Sequence, residues 1–148
     1  MGHCKYAKAD ELDLSVILAK WKWVRRTWLH LEDGFTLIAS QTDEIVGFIS
    51  VRWMELPEPL NGIKEGFVDI IEVEAHARRR GIGTRLIQIS EMECRAHHAR
   101  QLRGWSSEDK KEAIPMWLSL GFGLCPATDY PNNQAIRGYF VAKPLPKD

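Results

Sequence analysis

Residues 67–84 read FVDIIEVEAHARRRGIGT, and the rest of the chain is arranged around this stretch. Its first seven residues are mostly apolar and β-branched, which predicts a strand, and its last seven combine arginines with two glycines just before a helical pattern. Glycine lets a backbone approach a ligand closely, and the first N–H groups of a helix have no partner within the helix. The helix dipole and the arginine side chains both favour an anion there. The stretch therefore predicts a phosphate-binding turn between a strand and a helix.

This turn differs from the two commonest glycine-rich phosphate motifs. It has neither the third glycine of a dinucleotide fingerprint nor the Gly-Lys-Ser/Thr ending of a P-loop. It matches Arg/Gln-x-x-Gly-x-Gly/Ala through Arg78, Gly81 and Gly83. In these residues it resembles the acetyl-CoA-binding motif of the GNAT superfamily of N-acetyltransferases.

A second stretch resembles the same superfamily. Ala113, Trp117 and Gly121-Phe122 fall where the signature Asn-x-x-Ala-x-x-x-Tyr-x-x-x-Gly-Phe would place them. The resemblance implies an α/β fold with a mixed, mostly antiparallel central sheet flanked by helices. It also implies a splayed pair of parallel strands that forms a cleft for CoA. We expect residues 1–148 to form a single N-acetyltransferase-like domain.

Composition narrows the choice of partners. The 148 residues carry 20 Lys and Arg against 20 Asp and Glu, so the net charge is zero. Without a global basic field, we expect no nucleic-acid partner, although a domain that binds DNA through residues 78–80 is a distant alternative. No apolar run approaches the length of a membrane span, so no membrane partner is expected.

Cysteine and histidine usage points to an intracellular protein without a structural metal. The three cysteines are widely spaced and odd in number, which is typical of a reduced, cytoplasmic chain rather than of a disulfide framework. The five histidines show no metal-ligand spacing. We therefore interpret them as surface residues and predict no metal.

Hydrophobic patterns give the order of the remaining elements. Strands are predicted at 3–7, 35–39, 45–53, 67–73, 101–106, 122–127 and 135–143, the last two antiparallel, and helices at 10–29, at 82–98 and after Ser107. Pro115 should kink this last helix or delay its start. Trp23 lies off the buried stripe of the first helix, so it is the tryptophan we expect to face a cleft.

The loop over residues 55–66 contains two prolines and carries Glu58 and Glu65. It has two interpretations. One is a solvated loop, and the other is a lid whose carboxylates attract a cationic amine.

The central strand offers two candidates for a general base. Alternation divides its side chains between two faces, with Phe67, Asp69, Ile71 and Val73 on one and Val68, Ile70 and Glu72 on the other. A β-bulge after Asp69 would reverse this assignment. Superfamily members commonly place an acidic base on this strand, so the resemblance implies Asp69 or Glu72. For each carboxylate, a purely structural ion pair is an equally open interpretation.

The resemblance also implies how acetyl-CoA, the expected co-substrate, is bound. Backbone N–H groups of the turn would hold its diphosphate, and the strand around Ile71 and Val73 would pair with the pantetheine amides. Lys110 stands where the superfamily usually has an asparagine near the pantetheine arm. The cofactor-binding residues implied in this way are Ile71, Val73, Arg78, Arg79, Arg80, Gly81, Ile82, Gly83, Thr84, Lys110 and Trp117.

Trp117 departs from the superfamily pattern, which has a tyrosine that protonates the departing thiolate. An indole N–H donates a hydrogen bond but does not release its proton near neutral pH. Tyr130 and Tyr139 are alternative proton donors, and a CoA thiolate is also a fairly good leaving group on its own.

The resemblance predicts direct transfer of an acetyl group to a primary amine, which we expect to belong to a small cationic molecule. The acidic loop and strand favour a cationic amine, such as a polyamine, an aminoglycoside-like sugar or a lysine side chain. Two alternatives stay open. One is acetylation of a protein or peptide amine, and the other is a CoA-binding regulatory or interaction module with little turnover. Six tryptophans leave room for an aromatic surface patch and hence for a homodimer.

Overall fold

The structure, a computed structural model, describes residues 3–146. Its strands are β1 (Lys5–Lys8), β2 (Gly34–Gln41), β3 (Glu44–Glu55), β4 (Lys64–Val73), β5 (Gln101–Ser107), β6 (Gly123–Asp129) and β7 (Ile136–Pro144). Its α-helices are α1 (Glu11–Lys20), α2 (Ile82–Ala96) and α3 (Ala113–Ser119), with short 3-10 turns at Arg26–Trp28, Ala75–Ala77 and Pro131–Asn133. The strands form one sheet in the order β1-β2-β3-β4-β5-β7-β6. Among the strands of residues 3–146, only β4 and β5 pair in parallel, which confirms the predicted mixed sheet.

The sheet carries a core on each face. On the face covered by α2, Leu86 and Ile87 pack with Ile49 of β3. On the face covered by α1, Leu14 and Ile17 pack with other apolar side chains that include Phe48 of β3. Successive residues of β3 thus serve opposite cores, as the period of a strand requires. We call these two sides of the sheet the α1 face and the α2 face.

The first helix is shorter than the sequence predicted. Asp10 caps it in a reciprocal capping box with Asp13, but the helix ends at Lys20 rather than near residue 29. The following tryptophans keep their apolar spacing without helical backbone: Trp21 packs edge-to-face on Phe48, with ring centroids 5.0 Å apart. An irregular segment and a 3-10 turn here bury an apolar residue at about every third or fourth position, as a helix would. Periodicity alone therefore overestimated the length of the helix.

A β-bulge interrupts β4. Ser50 pairs with Ile70 and Val51 pairs with Val68, which leaves Asp69 as the extra residue. Val68, before the bulge, and Ile71, beyond it, both pack on the α2 face, whereas Ile70 packs on the α1 face. The uninterrupted alternation was therefore wrong, and the reversed facing that a bulge produces is the one present.

Strand β4 also begins earlier than expected. Glu65 lies inside the strand, is 1% exposed and is hydrogen-bonded by Arg103 and Gln101 of β5. The burial of this carboxylate raises its pKa, but the hydrogen bonds from Arg103 and Gln101 outweigh that effect and keep the pKa below its ordinary value. Glu65 is thus a structural residue whose hydrogen bonds link β4 to β5. The interpretation of Glu65 as a lid carboxylate was wrong.

The parallel strands separate soon after they meet. They pair only over Gly66–Val68 of β4 and Leu102–Gly104 of β5. Past that point β4 stays paired with β3, while β5 stays paired with β7 as far as Ser107. Each strand follows its outer neighbour, and a wedge-shaped gap opens between them, which confirms the predicted splay.

The segment after β5 reaches its helix late. Ser107 ends β5 instead of capping a helix, and α3 begins at Ala113 with Pro115 in its first turn. Proline is tolerated there because the first-turn N–H groups have no helical acceptor. Within residues 3–146, no helix is long and apolar enough to cross a lipid bilayer.

Candidate active site

The gap between β4 and β5 opens into a cleft of about 1200 Å³. One end is bordered by the turn before α2, and the walls include the end of β5 and the inner side of α3 around Trp117. Trp23 and Trp28 also border it. Because Trp28 packs on the α1 face and Ile82 of α2 packs on the α2 face, the cleft passes through the sheet from one face to the other.

The turn before α2 presents free backbone amides. Gly81 precedes the helix in a left-handed conformation (φ 79°), and the first intrahelical bond runs from Arg85 N–H to Gly81 O. The N–H groups of Ile82, Gly83 and Thr84 therefore have no partner within the helix. A Cβ added at Gly81 would meet no atom within 4 Å, so the backbone there faces open space.

The three arginines of this turn differ in placement. Arg78 Nε donates to Val73 O at 2.9 Å and so ties the turn to the end of β4. Arg79 borders the cleft in a left-handed conformation (φ 65°). Arg80 is exposed and does not border the cleft. All the other predicted cofactor-binding residues border it, including Lys110.

The edge of β4 beyond the splay has no strand partner. Glu74 N–H donates to Val46 O of β3. Because successive amides of a strand point to opposite edges, the N–H groups of Ile71 and Val73 point into the cleft. This edge can accept an extended chain of amides as a further strand would.

Asp69 is held by two cationic or hydrogen-bonding partners. Its carboxylate receives Nε and Nη2 of Arg52 at 3.1 and 3.2 Å. It also lies 2.5 Å from Nε2 of His30, whose Nδ1 lies 2.9 Å from a carboxylate oxygen of Asp33. The side chain of Asp69 borders the cleft but is only 15% exposed.

Glu72 has a different environment on the same strand. It borders the cleft and pairs across the sheet with Phe48, a residue of the α1-face core. Among the described residues, its carboxylate takes part in no hydrogen bond or ion pair. The next carboxylate, Glu74, is paired with Lys20 at 2.6 Å. The structure thus separates the two candidate bases, one fully engaged and one free.

Trp117 forms part of the cleft wall beside Met116. Its ring is 4% exposed and packs edge-to-face on Phe122, with centroids 4.8 Å apart. Neither Tyr130 nor Tyr139 borders the cleft, so neither is placed to protonate a group bound there.

His30 is the site-adjacent residue that sequence reasoning missed. It was interpreted as a surface residue, which was wrong: it is 4% exposed, and its backbone N–H donates to Ser50 Oγ at 2.9 Å. Its partner Asp69 is 39 positions away. The one local sign of its role in the sequence is Asp33, which lies three residues after His30 and contacts it in the structure. No group of three or more His, Cys, Asp or Glu side chains in residues 3–146 is arranged to hold a metal ion.

A comparison of the sequence with models of known protein families finds one match. The model of the acetyltransferase (GNAT) family matches residues 6–122. A comparison with curated proteins finds no match.

Several solved structures share the fold. NAA60 from Arabidopsis thaliana in complex with acetyl-CoA has a TM-score of 0.80 at 12% identity, covering 95% of this chain and 99% of that one. The ribosomal-protein-S18-alanine N-acetyltransferase of Escherichia coli has a TM-score of 0.78 at 16% identity, covering 97% and 94%. Arabidopsis thaliana Naa50, in complex with the bisubstrate analogue CoA-Ac-MVNAL, has a TM-score of 0.76 at 18% identity, covering 95% and 97%. At these identities the likeness concerns the fold alone.

Proposed function

Because the chain belongs to the acetyltransferase (GNAT) family, we propose that it transfers the acetyl group of acetyl-CoA directly to a primary amine of a small cationic molecule. The observation that carries this proposal is the juxtaposition of unpaired amides at the start of α2 with the open edge of β4. These two features border one cleft. They suit the diphosphate and the amide-containing arm of the same co-substrate.

The residues of the turn fit acetyl-CoA in charge and shape. The amides of Ile82, Gly83 and Thr84 would bind the diphosphate, with Arg79 and Lys110 adding positive charge nearby. The amides of Ile71 and Val73 would pair with the pantetheine arm. One of these amides would also polarise the thioester carbonyl, as donors in an oxyanion hole do. Acetyl-CoA supplies the acyl thioester, and the chain supplies the geometry that brings an amine to it.

Glu72 is the general base that we propose. A base must have a free lone pair within reach of the amine. Asp69 accepts from Arg52 and lies against His30, so its oxygens are already engaged by side chains of the protein. Glu72 borders the cleft without such partners. We assign Asp69 to a structural role in holding the bulge.

The charge of the cleft changes along its length. Arg78 and Arg79 border the part at the turn, and Lys110 borders the cleft together with Asp109, Lys111 and Glu112 of the segment before α3. Asp69 and Glu72 border the part that opens toward the α1 face. An anionic co-substrate at the first part and an amine that arrives as a cation at the second match this division.

The departing thiolate receives no tyrosine proton in this proposal. Trp117 lies in the cleft wall and can contact or hydrogen-bond a sulfur, but its indole does not supply a proton. A thiol with a pKa of about 8.5 leaves without full protonation. Rate enhancement then depends mainly on alignment of the two substrates and on the proposed base.

A protein or peptide α-amine is the second candidate acceptor. It is supported by the neighbours that share the fold, one named for the alanine of ribosomal protein S18 and one bound to a peptide-containing bisubstrate analogue. Against it, two indoles, Trp23 and Trp28, border the same cleft, and indoles suit an apolar body better than a peptide backbone.

The proposal is tested by incubating the protein with acetyl-CoA and a panel of amines, with thiol release and product mass as readouts. The panel contains monoamines, polyamines, aminoglycosides, lysine and short peptides. We expect a product heavier than one of the small cationic amines by one acetyl group. Tight acetyl-CoA binding without transfer to any amine would favour the CoA-binding module instead.

A further inference from the structure

The side chains at the α1-face end of the cleft restrict the chemical class of the acceptor amine. Four side chains define this end: Trp23, Trp28, Asp69 and Glu72. We refer to them as the acceptor end.

Trp23 is an unusual surface residue. Its side chain is 62% exposed, although it borders a cleft, and it lies in the irregular segment between α1 and β2. Exposed indole has much apolar area that water solvates poorly, and an aromatic ring stacked on it recovers part of that cost. Trp28, beside it, is half-buried and has the Arg25 guanidinium over its ring at 5.8 Å. Trp23 is therefore the indole with more surface available for a bound molecule.

The acidic groups near this end carry one uncompensated charge. Asp69 is neutralised by Arg52 and contacts His30. Glu74 is paired with Lys20. Glu72 alone among these three carboxylates has no partner in the described part of the chain. Glu72 thus supplies a free carboxylate for the ammonium of an acceptor at this end. Asp109 and Glu112, which also border the cleft, belong to the segment between β5 and α3.

From these features, and resting on the proposed function, we infer that the acceptor is a primary amine carried on an aromatic or flat apolar body. Its ring lies against Trp23, and its nitrogen is directed at Glu72. Glu72 removes one proton from the ammonium, and the neutral nitrogen forms the amide bond as the bond between the acetyl carbon and sulfur breaks. The thiolate of CoA leaves with the electron pair. One of the two protons left on nitrogen is released to solvent, and the amide keeps the other.

The test compares acceptors and variants in steady-state kinetics. The acceptors are 2-phenylethylamine, spermidine and a short peptide with a free α-amine. We expect 2-phenylethylamine to have the highest kcat/KM. Trp23→Ala should raise its KM about tenfold with kcat and the KM for acetyl-CoA little changed, since a stacked aromatic pair contributes that order of affinity. Trp23→Phe should restore most of the affinity.

Leu12→Ala is the matched control. Leu12 is 73% exposed on α1 and does not border the cleft, so this variant should behave as the unmodified protein. A higher kcat/KM for spermidine or the peptide would overturn the inference. An equal effect of Trp23→Ala and Leu12→Ala would overturn it as well.

A binding measurement separates this inference from the proposed function. If no amine is acetylated, the proposed transfer fails. Calorimetric titration of 2-phenylethylamine into the protein saturated with CoA then tests the acceptor end by itself. Binding that Trp23→Ala weakens would support the inference, and absent or unaltered binding would overturn it.

Discussion

At the scale of single residues, the environments of Asp69 and Glu72 decide which carboxylate can accept a proton. Asp69 sits at a bulge with Arg52 and His30 directed at it. A carboxylate whose oxygens are already engaged in this way has no free lone pair directed at an amine. Glu72, three positions on, borders the cleft without a partner. Substitutions at these two positions should therefore have different consequences.

Glu72→Gln should lower kcat by about 10²–10⁴-fold while leaving acetyl-CoA affinity intact, because it removes the proton acceptor without changing the shape of the side chain. Asp69→Asn should instead lower the free energy of unfolding by about 1–3 kcal/mol, since Arg52 and His30 lose a charged partner. Steady-state kinetics and denaturant titration of both variants separate the two roles. The assignment is wrong if folded Asp69→Asn is inactive and Glu72→Gln is not.

Gly81→Leu should abolish acetyl-CoA binding, because its left-handed backbone (φ 79°) faces open space where the co-substrate would approach. Gly62→Leu is a closely matched control. Gly62 has a similar φ of 92° and equally open surroundings, but it lies in the loop between β3 and β4 and does not border the cleft. Both variants should lose about 1–2 kcal/mol of stability from the strained backbone. Calorimetry should show that only Gly62→Leu still binds acetyl-CoA. If both variants bind it, acetyl-CoA binds somewhere other than the turn before α2.

The limits of sequence reasoning are clearest for His30. Its burial depends on hydrogen bonds to Ser50 and Asp69, which the fold brings close from distant parts of the chain. No local pattern encodes these contacts. By contrast, Arg78, Gly81 and Gly83 act within one turn, so their arrangement could be anticipated from spacing alone.

At the scale of elements, the short ladder between β4 and β5 depends on Glu65. Its buried carboxylate accepts from Arg103 at 2.9 Å and from Gln101 at 2.7 Å. The Arg103 guanidinium also lies over the rings of Phe67 and Phe140. These contacts fix the point from which the strands diverge.

Glu65→Ala should lower the free energy of unfolding by about 3–5 kcal/mol, because it leaves Arg103 partly buried without its partner.

The contribution of Glu65 to the free energy of unfolding should also depend on pH. Its pKa lies below the ordinary value of 4.5 in the folded chain. The ionised carboxylate therefore stabilises the fold fully above that value, and the stabilisation is lost as the pH falls through the lowered pKa.

Thermal unfolding of the unmodified protein and of Glu65→Gln checks this dependence. The difference in melting temperature should be largest at neutral pH and should shrink below about pH 4.5. A difference that is independent of pH would show that Glu65 does not act through its charge.

Apolar patterns predicted several elements well. The positions of β2, β3 and α2 followed from them, and the antiparallel arrangement predicted for the last two strands is present as well. The end of α1 and the bulge at Asp69 did not follow. Both depend on how the chain packs against a neighbour, and periodicity does not report that.

At the scale of the whole molecule, co-substrate binding should couple to global stability. A ligand that binds only the folded chain at 100 times its Kd contributes about 2.7 kcal/mol. For a chain of this size, that corresponds to a rise in melting temperature of about 5–11 °C. Differential scanning fluorimetry with acetyl-CoA measures it, and Gly81→Leu provides the non-binding control. An unshifted melting temperature in the unmodified protein would contradict the proposed site.

The brevity of the β4–β5 ladder has a mechanical consequence. Three residue pairs join one half of the sheet, β1 to β4, to the other half, β5 to β7. Free amides of the first half and the Trp117 wall of the second half face each other across the gap. A ligand bound in the gap contacts both halves of the sheet, so it restricts twisting of one half against the other. Amide hydrogen exchange at Gly66 and Phe67 should then slow on ligand addition, although these two residues of the ladder do not border the cleft.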